Sequence, residues 1–297
     1  MACVGGSVAV SGTLSAAPLM TTQAVRYAIA VVLLVGIARL TGRRIPMPRG
    51  AEWLWLVAVA GAGLVLFNVA LVRGAPHAEP AVFGVAIAGV PLVLALAGRP
   101  RRSVVLGAAV VTAGAALVEG GGRTDLAGLG WAALVLACEV GFTLLAVPVL
   151  TRLGPWGVAV HSCWIAVVLL GAIGWVVEGP TAVTTLTRAH LFAVGYLAVA
   201  VTALAFVLWY GAVVALGPGR AGLLTGVVPV AAAGVGAALG GPMPGPLVWA
   251  GIVLVAVGLA LGVTDGALPR RARNGATRRA PEGAVRRAST LSGSAGR

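Results

Sequence analysis

The sequence predicts an all-α integral membrane protein with about ten transmembrane helices, arranged as two inverted five-helix repeats. Of its 297 residues, 59% are hydrophobic and only 10% are charged, whereas about a quarter of the residues of a soluble domain are charged. Several stretches of roughly 20 residues are nearly free of charge, which is the length a helix needs to cross about 30 Å of hydrocarbon. These stretches are apolar on every side, so the pattern excludes a transmembrane β-barrel, whose strands alternate apolar and polar residues.

Hydropathy divides the chain into ten apolar spans, with glycine, proline and arginine marking their boundaries. We expect the spans at 2–17, 22–40, 53–72, 79–98, 103–119, 128–148, 157–177, 190–210, 219–239 and 247–264.

Arginine is distributed unevenly between the two sides of the predicted bundle. All 21 basic residues are arginine, and 17 of them lie in the tail, in the connections that follow even-numbered spans, or within two residues of those connections. Cytoplasmic loops are enriched in arginine, so we expect both termini in the cytoplasm. The chain has no lysine and is rich in alanine, glycine, valine and proline, which suggests a GC-rich bacterial genome. The expected location is therefore the bacterial cytoplasmic membrane.

Two sequence echoes predict an internal duplication. IAVVLL at 29–34 recurs at 165–170, and GAAVVTAGAAL at 107–117 resembles GIVLVAVGLAL at 251–261. Because each repeat holds five spans, an odd number, the second copy would enter the membrane in the opposite sense. In the same alignment, the start of the sixth span corresponds to positions before Met1. We therefore expect the first helix to be shorter than its counterpart by about two turns. Either the natural start lies upstream, or neighbouring helices hold a short first span.

The predicted organisation is a first repeat at 1–122, a second at 123–264 and a tail at 265–297. The tail is rich in Arg, Gly, Ala, Ser and Thr without periodicity, a composition that cannot bury enough surface to fold. We expect a disordered cytoplasmic tail whose arginines contact membrane lipid. The net charge of +13 is concentrated in loops and tail, and no nucleic-acid partner is expected.

One acidic residue lies in the interior of a predicted span, away from its ends. Glu139 is near the midpoint of the sixth, and a charged residue at a helix centre costs about 2.5–3.5 kcal/mol on insertion. Its side chain should therefore face the bundle interior, where inverted repeats place their substrate and ion sites. We interpret Glu139 as the binding residue for a coupling proton or for a cationic group of the substrate. The alternative is a structural partner for Arg26, His161 or a backbone carbonyl.

The other polar residues of the spans have open interpretations. Arg26, about five residues inside the second span, either extends to the surface or binds an anionic group, namely a substrate carboxylate or Glu139. We expect a neutral His161 that bonds a carbonyl, with a proton relay to Glu139 as the alternative. Tyr27, Asn68, Trp209 and Tyr210 are candidates for lining the same cavity, with interfacial anchoring or packing as alternatives.

Helix-bending and small residues mark the later spans. Pro91 and Pro229 occupy matching places in the fourth and ninth spans, and each should kink its helix beside a central cavity. The last two spans carry GxxxG pairs, which favour close packing within the bundle and leave a homodimer as the alternative. These pairs are Gly222 with Gly226, Gly236 with Gly240, and Gly258 with Gly262.

Three stretches resemble the EamA-type transporters of the drug/metabolite transporter superfamily. They are GGSVAV near the start, the Arg26–Tyr27 pair, and LWYGAVVALGPGRAGLLTGVVPV at 208–230. The resemblance covers roughly residues 3–264 and implies export or exchange of a small, often amino-acid-like metabolite. Family members often carry glutamate where this chain has Val228 and Gly241, so residue roles at those two sites do not carry over.

The function expected is secondary active transport of a small metabolite, such as an amino acid, with proton coupling through Glu139. Multidrug or cation efflux is the alternative. A membrane enzyme would need several ionisable groups together, whereas here one acid, one histidine and one arginine are spread over three spans. No metal-ligand spacing appears, so no metal and no cofactor are expected. Substrate identity, direction and coupling stoichiometry remain open.

Overall fold

Long apolar helices make up the described part of the chain. The structure is a computed structural model, and it describes residues 14, 17–98, 101–238 and 243–264. Within these residues the only β pairing is an isolated antiparallel bridge between Ala78 and Thr124. The first predicted span, apart from its last residues, and the predicted tail lie outside the described residues.

Nine helices in the described part correspond to the second through tenth predicted spans. Eight are long and apolar enough to cross a membrane, and the fourth span is a shorter apolar helix. The prediction of an all-α membrane protein with roughly ten helices is confirmed. The helices are α1 (Leu19–Leu40), α2 (Glu52–Gly74), α3 (Pro80–Leu96), α4 (Arg102–Glu119), α5 (Leu126–Leu144), α6 (Val147–Val177), α7 (Arg188–Leu216), α8 (218–238) and α9 (Pro246–Thr264).

Local sequence signals explain where several helices begin. The Asp125 side chain accepts a hydrogen bond from the Gly128 backbone N–H at 2.7 Å, which caps the first turn of α5. Thr187 and His190 form a reciprocal capping box at the start of α7. Pro80 stands in the first turn of α3, where its missing N–H costs nothing.

Helix α6 is two helices joined at a sharp bend. Gly154 has φ 67° and ψ 173° inside the element, and Pro155 follows it. A left-handed φ suits glycine, and a proline at the start of the next segment suits a helix N-terminus. The residues before Gly154 form a helical connector, so the predicted seventh span begins after the bend.

Helices α2 and α7 each contain a π-helical segment, which hydropathy alone does not predict. The segments are Ala60–Leu66 in α2 and Leu197–Leu204 in α7. In the predicted duplication α2 and α7 are equivalent helices, so the same irregularity occurs at matching places in the two halves.

The two predicted proline positions lie beside breaks in their helices. Helix α3 divides at Gly89, two residues before Pro91. In α8 a 3₁₀ turn at Leu224–Gly226 precedes the helical stretch that contains Pro229. Proline donates no backbone hydrogen bond to the preceding turn, and these breaks accommodate that loss.

Helices that the predicted duplication makes equivalent pack against each other in antiparallel pairs. On α4 and α9, Gly107 lies against Gly258 while Gly114 lies against Gly251. Gly107 aligns with Gly251 and Gly114 with Gly258 in the echo, so the contacts are reciprocal. Reciprocal contacts are typical of a two-fold relation, and their order requires that the two helices run in opposite directions.

Helices α1 and α6 form a second antiparallel pair. At one end of the pair, the Glu178 carboxylate accepts hydrogen bonds from the backbone N–H groups of Met20 and Thr21 at 2.7 and 2.8 Å. At the other end, His161 near the start of the second segment of α6 contacts Pro46, just beyond the end of α1.

The GxxxG glycines in the described part face neighbouring helices of the same chain. Gly222 lies against Pro91 and Leu94, and Gly258 lies against Gly107. A methyl group at Gly258 would approach the Gly107 carbonyl to 2.8 Å, so these small residues allow close helix packing within the bundle. Of the third pair, Gly240 and the surroundings of Gly236 lie outside the described residues.

Candidate functional site

A cavity of about 300 Å³ lies inside the bundle, between α1, α2, α3, α5, α7 and α8. Its described lining is mainly apolar and aromatic, with a few polar side chains. Small-molecule sites have this character and span about 300–1,000 Å³. Five of the predicted site residues line the cavity together: Arg26, Tyr27, Asn68, Glu139 and Trp209.

Glu139 faces this cavity from α5. The helix ends at Leu144, four residues earlier than predicted, so Glu139 lies in the last third of α5 instead of at its midpoint. Its carboxylate has no hydrogen-bond or ion-pair partner among the described residues, whose three ion pairs all lie elsewhere. A carboxylate in such a site either pairs with a cation or takes up a proton and becomes neutral.

Arg26 reaches the same cavity from α1, and its side chain is half-buried. The Nε–H group donates to Thr202 Oγ1 at 2.8 Å, and Nη1 donates to Gln23 Oε1 at 3.3 Å. The guanidinium carbon also lies 5.3 Å from the centroid of the Tyr27 ring. Two neutral side chains therefore hold Arg26, and no ion pair with Glu139 forms.

The other predicted lining residues are held by defined hydrogen bonds. Asn68 Nδ2 donates to the Leu64 carbonyl at 2.6 Å and to Tyr27 Oη at 3.4 Å. Trp209 Nε1 donates to Thr143 Oγ1 at 3.1 Å. Both donors are satisfied within the bundle, so these rings and amides present fixed surfaces to the cavity.

His161 is not among the described lining residues of the cavity. Neither of its ring nitrogens bonds Glu139, as the alternative of a proton relay would require. Its Nε2 lies 2.9 Å from the Pro46 carbonyl, and its Nδ1 accepts a hydrogen bond from Trp164 Nε1 at 3.0 Å. A ring that donates from Nε2 and accepts at Nδ1 is the neutral tautomer. Both ring nitrogens are thus engaged, and the contact of Nε2 with Pro46 fastens the loop after α1 to α6.

Tyr210 is buried beside the cavity and does not line it. Its hydroxyl donates to the Phe142 carbonyl at 3.3 Å, and its ring centroid lies 5.2 Å from that of Phe142. Tyr210 therefore supports a lining residue from behind. Of the interpretations left open for Tyr210, packing fits this position better than direct contact with the cavity.

Sequence reasoning missed three phenylalanines of the lining, Phe67, Phe142 and Phe206. The centroids of Phe142 and Phe206 are 4.9 Å apart, so the two rings form one aromatic wall. Helical spacing offered a signal, because Phe142 lies three residues after Glu139 and Phe206 three residues before Trp209. Residues three apart share a helix face.

Two ion pairs join the loops after α2 and α4, on the predicted external side. His77 Nδ1 lies 2.9 Å from Asp125 Oδ2, and Arg123 Nε lies 2.6 Å from Glu79 Oε1. The hydrogen bond from His77 lowers the pKa of Asp125 below its ordinary value, and the one from Arg123 does the same for Glu79. We call these four residues the outer clamp.

A third ion pair lies at the opposite end of the bundle. The Arg152 guanidinium pairs with the Glu52 carboxylate, and it also donates to the Met47 carbonyl at 2.8 Å. Arg152 lies on the connector before the bend of α6, and Glu52 begins α2. Together with the contact between His161 and Pro46, this pair fastens the loop between α1 and α2 to the second half.

Comparison with known proteins identifies the second half of the chain. Residues 126–264, which comprise α5 to α9, match the model of the EamA-like transporter family. A solved structure titled only as the crystal structure of a protein shares the fold with a TM-score of 0.76 and 18% sequence identity, over 89% of this chain and 94% of that one. No curated protein matches the sequence. Transport, as opposed to enzymatic catalysis, is what the family name indicates for this multi-pass membrane protein. Residues 126–264 therefore belong to the EamA-like transporter family, as the resemblance predicted.

Proposed function

We propose that this protein exports or exchanges a small zwitterionic metabolite, an amino acid with an apolar side chain, across the bacterial cytoplasmic membrane. One observation carries the proposal: Arg26 and Glu139 line a single cavity within the helix bundle, and no ion pair joins them. In a low-dielectric site, a cation and an acid that do not pair with each other can both be neutralised by one ligand that carries a negative and a positive group.

Each part of the cavity matches one part of such a ligand. The guanidinium of Arg26 binds the carboxylate, since its planar fork donates parallel hydrogen bonds to carboxylates. Glu139 binds the ammonium group. The aromatic wall of Phe142 and Phe206 contacts the apolar side chain of the ligand. An aromatic side chain fits this wall best, because aromatic rings favour offset or tilted contacts with each other.

Proton coupling follows from the same carboxylate. Without substrate, Glu139 faces an apolar cavity, where the charged form is disfavoured and a proton is taken up. With substrate, the ammonium group replaces the proton. Because one carboxylate serves both, substrate and proton move in opposite directions through alternate openings of the cavity.

The alternation of openings rests on the proposed inverted repeat, with units 1–122 and 123–264. The antiparallel pairing of α4 with α9 and of α1 with α6 supports it, as do the matching π segments of α2 and α7. Two halves that are equivalent and inverted give two states of nearly equal energy, one open to each side. We place both termini in the cytoplasm on the distribution of arginine.

Counterflow in proteoliposomes tests the proposal. Vesicles that contain the full chain and are loaded with phenylalanine should accumulate labelled external phenylalanine, and an imposed proton gradient should drive net flux. Glu139→Gln should remain folded in the membrane, because the amide keeps the shape of the side chain, but its net flux should be insensitive to the gradient. Phenylalanine flux in the wild type that ignores the proton gradient would remove the coupling role from Glu139.

Efflux of amphiphilic cations is the second candidate. This function is favoured by the position of Glu139 beside aromatic rings, because a cation can bind both a carboxylate and the face of a ring. The two functions differ in their use of Arg26. A cation transporter would carry 2-phenylethylamine, which is phenylalanine without its carboxylate, at least as well as phenylalanine, and Arg26→Gln would not impair it.

A further inference from the structure

Thr202 lies where the guanidinium of Arg26 meets α7. It is fully buried, and its hydroxyl takes part in two hydrogen bonds. Oγ1 accepts from Arg26 Nε at 2.8 Å and donates to the Leu197 carbonyl at 3.1 Å. We propose that Thr202 is the positioning residue that orients Arg26 for the substrate carboxylate. The inference rests on the proposed function, in which Arg26 binds that carboxylate.

The π segment of α7 sets the direction of the hydroxyl. Leu197 and Thr202 are five residues apart within Leu197–Leu204, which is the hydrogen-bond spacing of a π helix. In a regular α-helix a threonine hydroxyl donates to a carbonyl three or four residues earlier. Here the proton goes to the Leu197 carbonyl instead, and the oxygen lone pairs remain directed at Arg26.

This contact fixes how the guanidinium is presented. Nε–H is used by Thr202, and one N–H of Nη1 is used by Gln23. The other three of the five N–H groups of an arginine have no acceptor in the described part of the chain. Because the guanidinium is planar, anchoring Nε–H and one N–H of Nη1 leaves Nη2 and the second N–H of Nη1 for a carboxylate, which arginine binds through parallel hydrogen bonds.

A purely structural role for Thr202 makes a different prediction. If the hydroxyl only satisfied Arg26 and Leu197, its loss would lower the stability or the amount of folded protein, and every ligand would be affected alike. A positioning role affects only ligands that have a carboxylate. A zwitterion and a cation with the same aromatic ring therefore separate the two roles.

Thr202→Val and Thr202→Ser test the proposal in proteoliposomes that contain the full chain. Valine keeps the branched shape and removes the hydroxyl, whereas serine keeps the hydroxyl. We expect Thr202→Val to raise the KM for phenylalanine about fivefold or more, the loss typical of one hydrogen bond. Inhibition of phenylalanine counterflow by 2-phenylethylamine, which has no carboxylate, should keep its wild-type constant. Thr202→Ser should restore the KM.

Each other outcome is decisive. An unchanged KM in membrane-inserted Thr202→Val, or equal losses for both compounds, would overturn the inference and leave the proposed function intact. If Thr202→Val does not reach the membrane, Thr202→Ala gives the same comparison with a smaller side chain. If the wild type itself does not transport phenylalanine, the proposed function fails first, and the positioning role fails with it.

Discussion

Arg26 and Glu139 are the two residues on which the chemistry of this cavity depends, and the sequence identified both of them. A charge within an apolar span is conspicuous because its insertion is costly. Their partners were not predictable in the same way. Thr202 and Gln23 are ordinary polar residues in their spans, and only the packing of α1 against α7 brings Thr202 to within 2.8 Å of Arg26 Nε.

His161 illustrates the opposite case at the same scale. The sequence placed it among the site candidates because it is a titratable residue within a predicted span, although a neutral ring bonded to a carbonyl was the expected state. The structure places it away from the cavity, where it bonds the Pro46 carbonyl and the indole of Trp164. Sequence position alone does not reveal which face of α6 points inward, because that helix is buried on several sides.

Asp125 of the outer clamp carries a prediction about pH. Its folded-state pKa is lowered, first by the hydrogen bond from His77 and then by that from Gly128. A lowered pKa means that its contribution to stability is fully present above the ordinary aspartate value of about 3.9. The contribution is lost as the pH falls through the lower folded-state value. Asp125→Asn should therefore lower the Tm of the detergent-solubilised protein at pH 7.

The difference in Tm between the wild type and Asp125→Asn should shrink as the pH is lowered toward 3. Glu79→Gln, which removes the other acid of the outer clamp, should behave in the same way because Arg123 lowers the pKa of Glu79. Equal Tm values for wild type and variant at pH 7, or a gap that stays constant down to pH 3, would contradict this role.

At the scale of helices, hydropathy predicted most ends of α1 to α9 to within four residues, but α6 begins ten residues earlier than its predicted span and α7 ends six residues later. Hydropathy did not predict the irregularities inside these helices. A π segment and an α-helix use the same apolar residues, so nothing in the composition of Ala60–Leu66 or Leu197–Leu204 announces one. The breaks in α3 and α8 were partly visible, because proline cannot donate a hydrogen bond to the preceding turn.

The glycine contact between α4 and α9 gives a prediction for these elements. A methyl group at Gly114 would lie 2.7 Å from the Gly251 carbonyl oxygen and 2.8 Å from the Val255 backbone nitrogen. Backbone atoms cannot yield as a flexible side chain does, so Gly114→Ala should push the helices apart and destabilise the protein by about 1–3 kcal/mol. Thermal unfolding in detergent measures the loss.

Gly171→Ala in α6 is the matched control. No described atom lies within 4 Å of the position a methyl group would take there, so the substitution should leave the Tm unchanged or raise it. Equal Tm values for the two variants would show that the α4–α9 contact does not depend on glycine.

At the scale of the whole molecule, the echoes in the sequence led to the proposed duplication, and the antiparallel contacts of equivalent helices agree with it. Gly107 meets Gly258 and Gly114 meets Gly251, which is the pattern a two-fold axis in the membrane plane produces. The sequence could not reveal the cavity itself, because its volume depends on how six helices diverge. Helical spacing places Phe142 and Phe206 on the faces of Glu139 and Trp209, but only the packing of α5 against α7 brings the two rings together.

The two ends of the bundle are fastened differently. On the predicted external side the outer clamp joins the loops after α2 and α4, and at the opposite end Arg152 joins Glu52. Transport through a central cavity requires each end to open in turn. Contacts between charged side chains in water are worth little individually, so these ion pairs would add little to the cost of opening either end in the proposed transport cycle.

If the cavity recognises both charges of one ligand, as we propose, equilibrium binding to the purified protein will show it. Phenylalanine, 2-phenylethylamine and 3-phenylpropionate share a ring and carry both charges, only the ammonium, or only the carboxylate. We predict that the wild type binds phenylalanine tightest, by about tenfold or more. Arg26→Gln should abolish the preference over 2-phenylethylamine, and Glu139→Gln the preference over 3-phenylpropionate. A wild type that binds all three equally, or variants that keep both preferences, would contradict the account.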